Sequence, residues 1–274
     1  MRKTLSAGVA LGAVVAFTAL APAHAISDTT ADLSVLHGIP DTPVDVYVNG
    51  ELTIDDFQPG DLAGPLDLPA GTYSVALTDP AATDDSSPIL GPVDLTLEAN
   101  KSYTAVANLD AAGQPAANLF TNDIAQTAPG EGRLTVRHVA AAPAVDILAN
   151  GAPVVNGLEN PNEATLNLPA GTISAAVALA GTTDPVIGPA DLNITEGTLT
   201  IAYAWGSAEA GNLALAVQTI DGLHSTPNEV NTGSAGLVDE NGTGGWLLAG
   251  GAALIAGLGA AVIAVTRRPV RAER

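Results

Sequence analysis

The chain contains two copies of one unit, and this internal repeat constrains its fold more than any other feature. LSVLHGIPDTPVDVYVNG at 33–50 matches LTVRHVAAAPAVDILANG at 134–151. LDLPAGTYSVAL at 66–77 then matches LNLPAGTISAAV at 166–177, and GPVDL at 91–95 matches GPADL at 188–192. Three matching segments in the same order predict two tandem domains of roughly 90–100 residues, whereas a solenoid needs more and shorter units.

Within each copy the apolar residues alternate with a period of two, which predicts β-strands. Val44, Val46 and Val48 share one face, and the strand ends at an Asn-Gly pair that recurs at 150–151. Such a pair between alternating segments is a strong hairpin signal. With turn signals every 8 to 12 residues and no amphipathic helix, the sequence predicts an all-β fold with two tandem antiparallel β-sandwich domains of the immunoglobulin-like kind.

The motif LPAGT, at 68–72 and 168–172, joins two strands of each copy. Proline at the second position and glycine at the fourth suit a type I turn, so we expect a hairpin corner. The order Gly-Thr is the reverse of the one in the LPxTG signal that sortases cleave. The motif is therefore interpreted as architecture and not as a sorting signal.

The two ends of the chain predict export and anchoring. A basic start, an apolar run and the small residues Ala23 and Ala25 indicate a signal peptide cleaved after Ala25. The uncharged segment 246–266 is long enough, at about 30 Å, to cross a bilayer as a helix. Trp246 precedes it as an interfacial aromatic, and Arg267 and Arg268 follow it, which predicts a cytoplasmic tail.

The predicted organisation has seven parts. These are a signal peptide (1–25), a first sandwich (26–122), a flexible linker (123–132), a second sandwich (133–224), a flexible stalk (225–245), a transmembrane helix (246–266) and a basic tail (267–274). Thr232 and Gly233 in the stalk form a degenerate sorting site, so wall attachment stands beside membrane retention as an alternative.

Charge limits the partners that the exposed part can have. Between the terminal segments, 28 acidic residues face three basic ones, a net charge of −25. Such a surface repels nucleic acid and anionic lipid, which are bound by basic faces. The chain has no cysteine, which excludes disulfides, thiol catalysis and cysteine-ligated metals. We therefore expect no nucleic-acid partner, and a membrane contact only through the C-terminal helix.

The segments HGIPDTPVDVYVNG and LPAGTYSVAL, with their near-copies, resemble the DUF4397 family of bacterial extracytoplasmic domains. The resemblance covers about 32–122 and 133–220. It departs from the family pattern in the second copy, where Ala140, Ala141 and Ala142 replace Ile39, Pro40 and Asp41, and Leu148 replaces Tyr47. It implies an exported β-domain and carries no agreed biochemical activity, so it leaves the function open.

Catalysis is not predicted. His37 with Asp45, and His138 with Asp146, could each form a general-base pair, but their recurrence indicates a structural role for histidine in holding the Pro-rich turn. No GxSxG elbow or phosphate-binding glycine loop is present. No cofactor and no metal site are predicted, although Asp55, Asp56 and the acidic run 79–85 offer oxygens that calcium could use.

The expected function is therefore that of a non-catalytic, surface-anchored structural or adhesive protein. Its partner would be an unknown extracellular protein or a component of the cell envelope. The alternative is an extracellular binding module for a small ligand, calcium or cell-wall glycan. Trp205, at a strand end before a Gly-rich loop, is the candidate ligand contact.

Overall fold

The computed structural model describes residues 27–224, and these form sixteen β-strands and no helix. The predicted all-β class is confirmed. The first repeat contains β1 (Thr30–Gly38), β2 (Val44–Val48), β3 (Glu51–Phe57), β4 (Leu62–Pro69), β5 (Gly71–Thr78), β6 (Leu90–Leu97), β7 (Ser102–Leu109) and β8 (Pro115–Asn122). The second contains β9 (Glu131–Ala141), β10 (Val145–Ala149), β11 (Ala152–Leu158), β12 (Glu163–Pro169), β13 (Gly171–Leu179), β14 (Pro185–Ile194), β15 (Thr198–Ser207) and β16 (Ala214–Asp221).

Several predicted segments lie outside the described residues. They are the signal peptide, the stalk, the transmembrane helix and the tail, together with the named residues Ala23, Ala25, Thr232, Gly233, Trp246, Arg267 and Arg268. Within 27–224, no helix has the length and apolar character needed to span a membrane.

Each repeat folds as two four-stranded sheets packed face to face. One sheet, here called the inner sheet, has the order β4-β1-β7-β8 in repeat 1 and β12-β9-β15-β16 in repeat 2. The other, the outer sheet, has the order β3-β2-β5-β6 in repeat 1 and β11-β10-β13-β14 in repeat 2. The matching order in both repeats follows from their matching sequences, and the core of each sandwich lies between its two sheets.

The connectivity differs from the predicted immunoglobulin-like arrangement of antiparallel strands. In an immunoglobulin domain the first strand lies beside the second, whereas here β1 lies between β4 and β7. The β1–β7 pair is parallel, from Asp32 opposite Ser102 to Gly38 opposite Asn108, and β9 pairs with β15 in the same way. The alternation of apolar residues identifies strands but carries no information on which distant strand lies alongside.

The prediction that LPAG forms a hairpin corner is wrong. β4 ends at Pro69 in the inner sheet, and β5 begins at Gly71 in the outer sheet, so the corner carries the chain from one layer of the sandwich to the other. The backbone N–H of Ala70 donates to the carbonyl of Thr29, which ties the corner to the start of β1. A hairpin and an inter-sheet crossing both need a tight turn, so the turn residues alone do not distinguish them.

The two Asn-Gly hairpins are confirmed. Asn49 and Gly50 connect β2 to β3 with φ angles of 52° and 81°, and Asn150 and Gly151 connect β10 to β11 with nearly the same values. Two consecutive positive φ angles define the type I′ turn, whose twist matches that of paired strands. In both hairpins the asparagine side chain also accepts a backbone N–H from the neighbouring strand, that of Ser74 or Ser174.

The two repeats stack through their inner sheets and belong to one compact unit. Leu36 and Val106 of repeat 1 share a buried cluster with Val139, Ile201 and Tyr203 of repeat 2. As a result the parallel strands are covered on both faces, as parallel strands usually are: most residues of β1, β7, β9 and β15 are buried, and the others are partly buried.

The segment that joins the repeats, predicted as a flexible linker, is fixed by hydrogen bonds. The carbonyls of Asp123 and Ala125 accept bonds from Nη1 of Arg133, both of 2.8 Å. The backbone N–H of Thr127 donates to the carbonyl of Leu223, beyond the last strand of repeat 2. The linker is therefore part of the folded structure, because repeat 2 supplies partners for its backbone.

Candidate functional site

A group of three carboxylates on the outer sheet of repeat 1 is built by a β-bulge. Val44 pairs with Phe57 and Val46 with Ile54, so two residues of β3, Asp55 and Asp56, lie opposite the single residue Asp45 of β2. A bulge changes the direction of side chains on its strand. Here the bulge brings the carboxylates of Asp55 and Asp56 close to the carboxylate of Asp45.

The three carboxylates of Asp45, Asp55 and Asp56, here called the acidic cluster, lie close together. One oxygen from each falls within 4.8 Å of the others. Asp45 is only 3% exposed, and its Oδ1 accepts the backbone N–H of Asp56 at 2.9 Å. The charges of Asp45 and Asp56, in that order of effect, raise the pKa of Asp55 above its usual value. The cluster is therefore a place where negative charge accumulates beside a buried carboxylate.

Two further features surround the acidic cluster. Thr78 lies directly opposite Asp45 across the β2–β5 pair, so the two side chains share a face of the sheet. Thr78 is fully buried, and its Oγ1 has no hydrogen-bond partner. Burial, followed by the charges of Asp45, Asp84 and Asp85, raises the pKa of the Tyr47 phenol on the same strand as Asp45. The negative potential thus extends along β2.

The acidic run 79–85, which the sequence offered as a source of calcium ligands, does not join this cluster. Oδ1 of Asp79 accepts the backbone N–H of Ala81, and Oδ1 of Asp84 accepts that of Ser86. Hydrogen bonds from the side chain of Ser86, and then from its backbone N–H, lower the pKa of Asp84 below its usual value. The side chains of Asp79 and Asp84 therefore stabilise their own loop. The carboxylate that lies close to those of Asp55 and Asp56 is that of Asp45 instead.

Repeat 2 keeps the bulge but not the charges. Asp146 corresponds to Asp45, and Asn156 and Gly157 occupy the places of Asp55 and Asp56. Asp146 has a donor for each oxygen: the N–H of Gly157 bonds to Oδ1 and that of Gly181 to Oδ2, both at 2.8 Å. In repeat 1 the residue that corresponds to Gly181 is Ala81, whose N–H is used by Asp79.

The rest of the corresponding surface in repeat 2 is apolar. Ala178 takes the place of Thr78 and Leu148 that of Tyr47, and the two form a buried cluster with Ala176. The same backbone therefore carries an acidic site in one repeat and a neutral, satisfied structure in the other. This comparison separates what the fold requires from what repeat 1 adds.

Neither histidine forms the pair with aspartate that general-base catalysis would use. Nε2 of His37 donates to the carbonyl of Thr42 at 2.7 Å, and Nε2 of His138 donates to that of Pro143 at 3.0 Å. A carbonyl only accepts, so the proton is on Nε2 in both rings. The expected role of the histidines in holding the Pro-rich turn is confirmed, whereas Asp45 and Asp146 bond to the backbone of the bulge.

Trp205, the candidate ligand contact, lies at the junction of the two repeats. It packs against the buried cluster between the inner sheets, and its Nε1 is buried without a hydrogen-bond partner. A Cβ placed on Gly60 of repeat 1 would lie 3.0 Å from the indole ring. The indole ring of Trp205 therefore lies against Gly60 of repeat 1.

A buried polar network at the same junction was not predicted from the sequence. Arg137 is 1% exposed; it pairs with Glu163 at 2.7 Å and donates to Oη of Tyr203 and to Oδ1 of Asn122 in repeat 1. Its guanidinium also lies 4.4 Å from the ring centroid of Phe120. The available signal was the repeat alignment, in which Arg137 replaces Leu36 between the matched valines, Val35 and Val136, and the matched histidines, His37 and His138.

A second set of bonds in this network is centred on Gln218. Its Oε1 accepts from Thr104 of repeat 1 at 3.1 Å, and its Nε2 donates to Oγ of Ser34, also of repeat 1, at 3.0 Å. The hydroxyl of Tyr203 donates to the same Oε1. Buried polar groups of this kind are costly unless paired, so the network fixes how the two inner sheets are aligned.

The fold and these contacts define a protein of two stacked β-sandwich repeats with an acidic cluster on one outer sheet. Residues 31–148 match the model of DUF4397, a domain of unknown function, which confirms the family resemblance seen in the sequence. The match covers repeat 1 and continues through β9 and most of β10.

Other comparisons add little to this assignment. No curated protein matches the chain. Among solved structures, the chain is similar to the Bacillus anthracis TIE protein, with 16% sequence identity and a TM-score of 0.21. That similarity covers 69% of this chain and 34% of the other, so the chain spans about a third of the TIE protein.

Proposed function

We propose that this chain is a non-catalytic structural or adhesive protein, exported and anchored at the cell surface by its C-terminal segment. Its two sandwich repeats would lie outside the membrane, and its partner would be an extracellular protein or a component of the cell envelope. The signal peptide and the membrane helix expected from the sequence support the location.

The observation that carries the adhesive role is the stacking of the two repeats. Repeats joined by a flexible linker would move independently, whereas here a shared apolar cluster and the bonds of Arg137 and Gln218 hold them together. A rigid body presents its outer sheets and loops in a fixed geometry, which reduces the entropic cost of binding a partner. The lack of a hydrogen bond between His37 and Asp45, or between His138 and Asp146, supports a non-catalytic role.

The alternative is a binding module for a small ligand, calcium or wall glycan. Of these three ligands, the acidic cluster supports only calcium. Glycan sites usually present an exposed aromatic ring, whereas Trp205 packs between the repeats. Calcium binding by repeat 1 is compatible with an adhesive role.

A deletion strain tests the proposed function. The full chain, a version that ends before residue 246, and an empty vector are each returned to the strain. We expect the full chain to be cleaved by protease added to intact cells and to restore cell aggregation or attachment, whereas the shortened chain is released into the medium. Protein that stays protected from the protease would contradict the location. Unchanged attachment on deletion would contradict the adhesive role.

Fractionation of the producing cells determines the mode of attachment. An intact mass for 26–274 in the detergent fraction would support anchoring by the membrane helix. Release only by wall-digesting enzyme, with a chain that ends at Thr232, would instead support attachment at Thr232–Gly233.

A further inference from the structure

We propose that repeat 1 binds one calcium ion on its outer sheet through the carboxylates of Asp45, Asp55 and Asp56, with the hydroxyl of Thr78 as a further oxygen ligand. This site is independent of the adhesive role. It is a property of repeat 1 alone.

The arrangement of oxygens supports a hard divalent cation. Three carboxylate oxygens lie within 4.8 Å of one another, and they come from a buried strand residue and a two-residue bulge. Calcium accepts six to eight oxygen ligands in flexible geometry, and water completes such sites on surfaces. Magnesium requires a nearly regular octahedron and loses water reluctantly, so we expect it to bind more weakly.

A buried hydroxyl group without a hydrogen-bond partner also supports the proposed calcium site. Thr78 is 0% exposed and its Oγ1 lacks a partner, although it shares a sheet face with Asp45. Buried hydroxyl groups without a hydrogen bond are uncommon because desolvation is uncompensated. A cation held by Asp45 would give this oxygen a partner.

Repeat 2 provides the internal comparison. There the bulge is retained, yet Asp146 receives two backbone N–H groups, Asn156 and Gly157 carry no charge, and Ala178 replaces Thr78. The bulge therefore needs neither the second and third carboxylates nor the hydroxyl. The residues that repeat 1 has at these three positions, Asp55, Asp56 and Thr78, all supply oxygen atoms around Asp45.

The backbone conformation of the bulge also supports the proposed site. Asp56 has φ of 51°, a left-handed conformation, and the corresponding residue in repeat 2 is Gly157 with φ of 65°. Glycine is the residue that adopts this conformation without strain. Repeat 1 therefore places a carboxylate where glycine would serve the backbone better.

The experiment uses the full-length chain, purified in detergent, freed of metal with chelator and titrated with calcium chloride by calorimetry. We expect one saturable site with a dissociation constant on the order of 10⁻⁴–10⁻³ M, the range of extracellular calcium modules. Magnesium chloride, titrated in parallel, should bind more weakly. Absence of saturable binding by calcium would overturn the proposal.

The decisive variant is Asp55→Asn combined with Asp56→Gly, which gives the bulge of repeat 1 the residues of repeat 2. We expect its calcium affinity to fall at least about tenfold, because two charged ligands are lost. The matched control is Asp184→Asn with Asp191→Asn, which removes two charges from exposed positions of repeat 2. An equal loss in both variants would show diffuse attraction to an acidic surface and would overturn the site.

Thermal unfolding separates loss of the site from loss of the fold. In chelator, the bulge variant should melt at or above the temperature of the wild type, because repulsion within the cluster is removed. Added calcium should raise the melting temperature of the wild type and not that of the variant, since a ligand stabilises only the state that binds it. Thr78→Val tests the hydroxyl in the same way: we expect a severalfold loss of affinity, and unchanged affinity would exclude Thr78 as a ligand.

Discussion

Arg137 of repeat 2 donates a hydrogen bond from Nη2 to Oδ1 of Asn122 in repeat 1, over 3.0 Å, from a position that is 1% exposed. The same guanidinium is paired with Glu163, which is partly exposed at the edge of the inner sheet. A buried cation is stable only when its donors are satisfied. The bond to Asn122 therefore makes the correct stacking of the repeats a condition for burying Arg137.

Arg137→Ala should lower the free energy of unfolding by about 3–5 kcal/mol, because it leaves a cavity and removes the donor to the buried oxygens of Tyr203 and Asn122. Arg137→Leu should cost less, since leucine fills space and stands at the matching position, Leu36, in repeat 1. Urea denaturation measures both. Lys101→Ala, at an exposed position, is the control and should change little. A loss below about 1 kcal/mol in Arg137→Ala would contradict the role given to this network.

The two repeats should unfold together. Because the cluster between the inner sheets includes residues of both repeats, unfolding of one exposes apolar surface of the other. Calorimetry should therefore give a single transition, with equal calorimetric and van't Hoff enthalpies. Two separated transitions would show that the sandwiches are stable independently and that the interface contributes little.

Trp205 should matter for stability through its contact with repeat 1. Trp205→Ala should cost about 3 kcal/mol or more, the usual result for a large aromatic in a packed site. Trp205→Phe should cost much less, because the indole N–H that it removes has no partner. Gly60→Val should also lower stability. The valine side chain would meet the indole ring, and the φ of 88° at residue 60 disfavours any residue with a side chain. Equal effects of Trp205→Ala and Trp205→Phe would argue against this packing role.

The histidines should make stability depend on pH. Burial lowers the pKa of His37 and of His138 below the ordinary value of 6.5, although their carbonyl partners act in the opposite direction. As the pH falls, the histidines therefore bind protons at a higher pH in the unfolded chain than in the native chain. Their contribution to stability is complete above about pH 6.5 and decreases as the pH falls toward the lowered native values.

The double variant His37→Gln, His138→Gln isolates this effect, because a glutamine amide can still donate to the carbonyl but does not titrate. Urea denaturation at several pH values between about 7.5 and 5 compares it with the wild type. The difference in unfolding free energy should shrink as the pH falls. A difference that stays constant across this interval would show that the two histidines do not titrate differently in the native and unfolded states.

The acidic cluster shows how far sequence reasoning reached at the site. The sequence points to Asp45, Asp55 and Asp56, but it pairs Asp45 with His37 and groups Asp55 and Asp56 with the acidic run 79–85. In a regular strand Asp55 and Asp56 would point to opposite faces. Only the bulge opposite Asp45 brings both to one carboxylate, and a bulge depends on the pairing register. The role of His37 was predictable because the Pro-rich turn is close in sequence.

By itself the sequence determined the repeat, because matching segments recur in the same order. It also determined the all-β class and the Asn-Gly hairpins, because these depend on residues within a few positions of one another. The tertiary structure decided which strands lie side by side, as in the parallel β1–β7 pair, and which layer each strand enters after Pro69. It also decided the burial of Arg137 and Trp205, which depends on how the second inner sheet covers the first. Local patterns report the conformation of the backbone and one buried face. The partner of that face, and the burial of the other face, follow from the free energy of packing between segments far apart in the chain.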